Sequence, residues 1–149
     1  MKSFIARLAT LGLALAAISP AGFAQSPPEA KPLELRRIMQ NLGSSMQTVT
    51  AGISSEDWAG VARLAPQIAR HPEPPGAEKG RIVSFIGVDM GRFKNYDDQS
   101  HDAALAMGAA AANGDGDGVI ASFAKIQGAC LGCHKEFRQR FVEHFYGKR

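Results

Sequence analysis

Two thiols and an imidazole stand together near the C-terminal end of the chain, in Cys130-Leu131-Gly132-Cys133-His134. Each thiol can add to a vinyl group of a haem, and an imidazole directly after the second thiol can ligate the iron from one side. The spacing is that of covalent c-type haem attachment. On a helix successive residues turn by about 100°, so Cys133 and His134 each fall within roughly 60° of Cys130. The competing chemistry is a Cys130–Cys133 disulfide or a thioredoxin-like redox pair. The latter needs a strand–helix context, and no strand pattern lies near the motif. The sequence contains no other cysteine.

The motif needs a helix to carry it. Val119, Ile120, Phe123, Ile126, Cys130, His134, Phe137, Phe141 and Phe145 share one broad face at helical spacing. A helix over 118–145 is therefore expected, about 40 Å long at 1.5 Å per residue. Its haem-bearing face must turn toward the core. Leu35, Met39, Leu42, Met46, Val49 and Ile53 form a second apolar stripe, placing a first helix from Leu33 to Ala51. Ser54-Ser55-Glu56-Asp57 reads as the start of another helix, capped by Ser54 or Ser55, with Trp58, Val61, Leu64, Ala65 and Ile68 on its apolar side. Pro66 should kink or end it.

Residues 71–79 have the composition of a rigid, proline-rich loop. Residues 80–95 read either as a buried helical turn or as a packed loop, with Gly87 and Gly91 arguing against a long helix. A third helix runs from Asp97 or Asp98 to Ala112. The turn at 113–118 partly imitates a calcium loop, but Ala124 stands where a bidentate Glu is needed. Asp117 more simply caps the last helix. Four helical segments, short connections and no strand pattern imply an all-α fold. We expect an antiparallel four-helix bundle with covalently attached haem on the C-terminal helix.

The N-terminus reads as a secretory signal peptide. Lys2 and Arg7 precede an apolar run from Leu8 to Ile18, and Gly22-Phe23-Ala24 offers a cleavage site. That run is shorter than the roughly 20 residues of a membrane span. Residues 1–24 are thus expected to be removed, leaving 25–149 as one exported, periplasmic domain with no membrane span. The full chain has 17 Lys and Arg against 14 Asp and Glu. Without Lys2 and Arg7 the balance is 15 against 14. No basic stripe with interleaved aromatics remains, so nothing argues for nucleic acid as a partner.

The run Cys130-Leu-Gly-Cys133-His134-Lys-Glu-Phe137-Arg138 resembles the CxxCHxx-aromatic-Arg signature of class II c-type cytochromes, the cytochrome c′ family. The resemblance implies one covalent haem c, with His134 as proximal ligand and Arg138 beside the imidazole and the haem edge. It also implies that the first helix covers the opposite face of the iron. Met39, followed by Gly43 and Met46, is similar to the low-spin, methionine-ligated branch, in which the first methionine is the distal ligand. That branch often has an Arg four residues earlier. Here Leu35 holds that position and Arg36 and Arg37 follow it.

Three functions fit these residues. A single-electron carrier with His134 and Met39 on the iron would meet redox partner proteins. A high-spin protein would leave the distal side open to nitric oxide or carbon monoxide, with Leu35, Met39 and Leu42 lining the pocket. An enzyme would need a distal acid or base, and Glu34, Arg36 and Arg37 lie off the core stripe. The expectation is a non-enzymatic electron carrier. Related bundles often form homodimers, and the sequence leaves that state open.

Overall fold

The structure, a computed structural model, describes residues 32–147. The expected signal peptide and most of the loop after it lie outside the described residues. The described chain is helical and contains no strand: α1 (Glu34–Ser54), α2 (Trp58–Ala69), α3 (Gly76–Ile86), α4 (Met90–Ala112), α5 (Gly116–Cys133) and α6 (Gln139–Tyr146). A π-turn, His134–Arg138, joins α5 to α6 without a break. The long rods α1, α2, α4 and α5–α6 make the four-helix bundle, and α3 is a short helix inserted before α4.

Two apolar clusters hold the bundle. In the first, Met46 and Val49 of α1 meet Val61, Ala65 and Ile68 of α2, Ala103, Ala104 and Met107 of α4, and Val119 and Ile126 of α5. In the second, Ile82 and Ile86 of α3 enclose Phe137, with Leu35, Phe85, Phe93, Tyr96 and Phe141 packed around them. Phe137 is 2% exposed, and its ring meets Phe93 edge-on at 5.3 Å. Burying an aromatic or large aliphatic side chain contributes roughly 1.5–3 kcal/mol, so these side chains set the positions of the helices. α4 packs closely on both α2 and α5, because its inward face is largely alanine. By contrast, α1 rests mainly on α2 and touches α5 at few points.

Several element ends differ from the sequence expectation. Asp57, not Ser54 or Ser55, caps α2 and accepts from the Gly60 N–H at 2.8 Å. Asp115, not Asp117, caps α5 and accepts from the Gly118 N–H at 2.9 Å. Both aspartates sit three residues before the amide they receive, the spacing of an N-cap. Pro66 falls in the last turn of α2, which ends at Ala69, so a single backbone bond is lost.

The segment 80–95 is more helical than expected. Gly87, at φ +60°, ends α3 in a conformation that glycine adopts without strain. Gly91 lies inside α4, where burial of Met90, Phe93 and Tyr96 outweighs its poor propensity. The proline-rich loop also ends early, at Pro75, and α3 begins within the stretch expected to be loop.

The start of α1 is fastened from a distance. Its first two amides, Glu34 N–H and Leu35 N–H, both donate to the Glu78 carboxylate of α3 at 2.8 Å. Leu33 N–H donates to the Tyr146 hydroxyl at 3.1 Å. The Glu78 carboxylate thus does the work of a cap, which Leu33 cannot do, and its charge suits the positive helix end.

Two predictions follow from these contacts. Glu78→Ala should cost about 0.5–2 kcal/mol, the usual loss for a cap, and should speed amide exchange at Glu34 and Leu35 before other sites. Exchange measured by NMR checks this. At Gly132, an added Cβ would lie 2.5 Å from Tyr96 Cε1. Gly132→Ala should therefore destabilise by roughly 1–3 kcal/mol. Adding Tyr96→Ala should cost less in that background than in wild type, which a double-mutant denaturation cycle would detect.

Candidate functional site

Cys130, Cys133 and His134 occupy the end of α5 and the first position of the π-turn. The two thiols are free and half-buried. Cys130 packs against the first apolar cluster and Cys133 against the second, so the motif spans the seam between them. Gly132 lets the Tyr96 ring lie directly against this turn, and no side chain fits between them. A salt-bridge network braces the turn from outside. Arg92 reaches Glu136 at 2.7 Å and Asp89 at 2.9 Å, and Arg140 reaches Asp89 at 3.1 Å.

The face carrying the motif does not turn wholly inward as expected: the two thiols are half-buried but His134 is exposed, and partial loss of water shifts the protonation of all three. Loss of water raises the Cys130 thiol. It pushes Cys133 up to about 11, helped by the nearby thiol and by the Asp97 and Glu136 carboxylates. The free thiols are therefore held protonated at neutral pH and are not reactive thiolates. The His134 ring is lowered, first by partial loss of water and then by the positive charge of Arg138. A neutral imidazole is the form that ligates iron. Arg138 itself is exposed on the π-turn, close enough for its charge to act on His134.

The face of α1 needs one correction. Met39 is 39% exposed and does not join the core, whereas Ile38, which the stripe omitted, is 2% exposed. Met46 is buried in the first cluster. The position of Met39 along the bundle is nonetheless specific. Before it, Leu35 packs with the second cluster, and after it, Leu42 packs with the first. On α5 the same change of cluster runs the opposite way, from Cys130 to Cys133. The two helices cross the seam in opposite directions, Met39 at the crossing on one and Cys130–His134 at the crossing on the other. The Met39 thioether is thus not committed to protein packing.

These residues fit a covalently attached haem c. The donor set is two unpaired thiols and a neutral imidazole on one turn, flanked by apolar clusters, with α1 only lightly applied to α5. The 430 Å³ cleft between α1 and the end of α2, lined by Ile38, Leu42, Pro66 and Arg70 among others, does not include the motif.

The other histidines have partners that the local sequence does not reveal. His71 opens the proline-rich loop, yet its side chain is only 13% exposed. It meets His101 of α4, with ring centroids 4.9 Å apart. The sequence separation of 30 residues hides this pairing. His144 stacks on Phe85 at 4.4 Å on the outer side of α6.

Comparison with known proteins agrees with this geometry. The family described as Cytochrome C′ matches residues 34–138, from the first residue of α1 to the last of the π-turn. The cytochrome c′ of Rhodospirillum rubrum is 29% identical over 137 residues, covering 84% of this chain and 93% of that protein. No helix among the described residues is long and apolar enough to cross a membrane. With the motif, the four-helix bundle and the match over most of its length, the chain belongs to the cytochrome c′ family.

Proposed function

We propose that this protein is an exported electron carrier, not an enzyme, holding one haem c through Cys130 and Cys133 with His134 as proximal and Met39 as distal ligand. Haem c with two such axial ligands supplies reversible one-electron chemistry at a raised potential. The observation that carries the reading is the opposed crossing of the cluster seam by α1 and α5. It sets an uncommitted thioether at the same level as the motif, whereas Met46 is already spent on packing.

The residues divide the work as follows. Cys130 and Cys133 bind the group on its edge and fix it to the helix. His134 presents a neutral ring nitrogen, and Arg138 beside it disfavours a proton there. The clusters on either side of the motif give an apolar wall to the attached edge. Leu131, 55% exposed within the motif, leaves an apolar spot on the surface where a redox partner protein can approach. Residues 1–24 serve as the export leader, and 25–149 as the working periplasmic domain.

The gas-binding reading has one observation in its favour. Met39 is exposed and α1 is loosely applied to α5, so the distal side can remain open to nitric oxide or carbon monoxide. Ligand-exchange spectra separate the two. On the His/Met reading, the ferric protein shows low-spin bands, and Met39→Ala converts it to high spin, lowers its potential and admits carbon monoxide rapidly. Met46→Ala should keep the wild-type spectrum but cost about 2–5 kcal/mol, as for other buried methionines. A high-spin wild-type protein, or a Met39→Ala variant identical to it, would overturn the His/Met assignment. His134→Ala should lose the proximal ligand and leave the haem poorly ordered. A normal haem content and spectrum in that variant would refute the whole site.

A further inference from the structure

Away from the haem motif, three side chains aim their ligating atoms at one point. His71 stands in the loop after α2, and Asp97 and His101 lie one turn apart on α4. His71 Nε2 and His101 Nε2 are 3.0 Å apart, and Asp97 Oδ1 is 3.5 Å from each. We propose that His71, Asp97 and His101 form a second metal site, which takes a borderline divalent transition ion such as Zn²⁺.

The triangle has the right size. Its circumradius is about 1.9 Å, so an ion about 2.0–2.1 Å from all three atoms stands about 0.7 Å out of their plane. An ideal tetrahedral zinc site with bonds of that length has ligand–ligand edges of about 3.3 Å. The three edges here bracket that value. The fourth corner faces solvent, since Asp97 is 44% and His101 30% exposed, which leaves room for a water ligand and a path of entry.

The chemistry of the donors also fits. Two imidazoles and one carboxylate suit zinc, copper or nickel, whereas calcium and magnesium require mostly oxygen. The outer hydrogen bond is already in place for one ligand. His71 Nδ1 lies 3.0 Å from the Pro72 carbonyl oxygen, which can only accept, so Nδ1 carries the proton. In the neutral ring Nε2 therefore offers a lone pair to the centre, and the ring is oriented for ligation. Without a cation, the hydrogen bond to Asp97 favours a proton on His71, so a metal ion entering the site competes with that proton. The spacing of Asp97 and His101, four apart on a helix, puts both on one face, and the proline-rich loop brings His71 to them.

Neither histidine touches Cys130 or Cys133 at the end of α5 or His134 at the start of the π-turn. The test can therefore be done on the haem-loaded protein with the haem spectrum as a folding control. Chelator-treated protein titrated with Zn²⁺ in a calorimeter should take up one tight equivalent, and its melting temperature should rise with Zn²⁺ concentration. His101→Ala and His71→Ala should each weaken binding by tenfold or more with an unchanged haem spectrum, whereas His144→Ala should bind as wild type does. X-ray absorption at the zinc edge of the wild-type complex should show two imidazoles and oxygen neighbours, so the result does not depend on any variant folding. No stoichiometric uptake, affinity unmoved by His101→Ala, or a zinc shell without imidazole would each overturn the proposal.

Discussion

The close approach of α4 to the motif-bearing helix is the constraint on which the rest of the bundle depends. Tyr96 lies against Gly132 at a distance that leaves no room for a Cβ, and Phe93 closes edge-on over Phe137 one turn later. Small residues on α4, Ala103, Ala104 and Ala111, continue the same tight contact toward the other end. Dense packing of this kind tolerates little displacement. It holds one side of α5 rigidly and leaves the opposite side to α1, which is applied much more lightly. A large flat cofactor needs such an asymmetry, with a fixed wall that bears its ligand and attachment points and a second wall that can adjust.

The chemistry of the motif was the most legible part of the sequence, because it depends on five consecutive residues and the pitch of a helix. The long periodic helices were legible for a similar reason. Legibility fell wherever a distant group decided the outcome. Gly91 looked like a breaker, yet burial of Met90, Phe93 and Tyr96 carries α4 through it. The stripe on α1 was read one residue out of phase at its centre, so that Met39 was counted as core and Ile38 missed. The two are about 100° apart on the helix, at opposite edges of a broad apolar face, and only the placement of the neighbouring elements decides which edge is covered.

The caps show the same division. Each was expected within a residue or two of its place, but which of several adjacent Ser or Asp side chains acts depends on where the first helical amide falls. The capping of α1 by Glu78 had no local sign, since the partners are 44 residues apart. The pairing of His71 with His101 was hidden in the same way, and a proline-rich loop gave every reason to expect a solvated imidazole.

The bond between Leu33 N–H and the Tyr146 hydroxyl joins groups 113 residues apart at one pole of the bundle. The described chain therefore sets out and returns at nearly the same place. Such a molecule is topologically almost a ring. A short linker could join the two ends, and new ones could be opened at the turn Asn113–Asp115 between α4 and α5 without parting any helix from its neighbours. The same geometry means that anything appended to either end, a tag or an anchoring chain, leaves the bundle from a single pole, away from the α4–α5 turn.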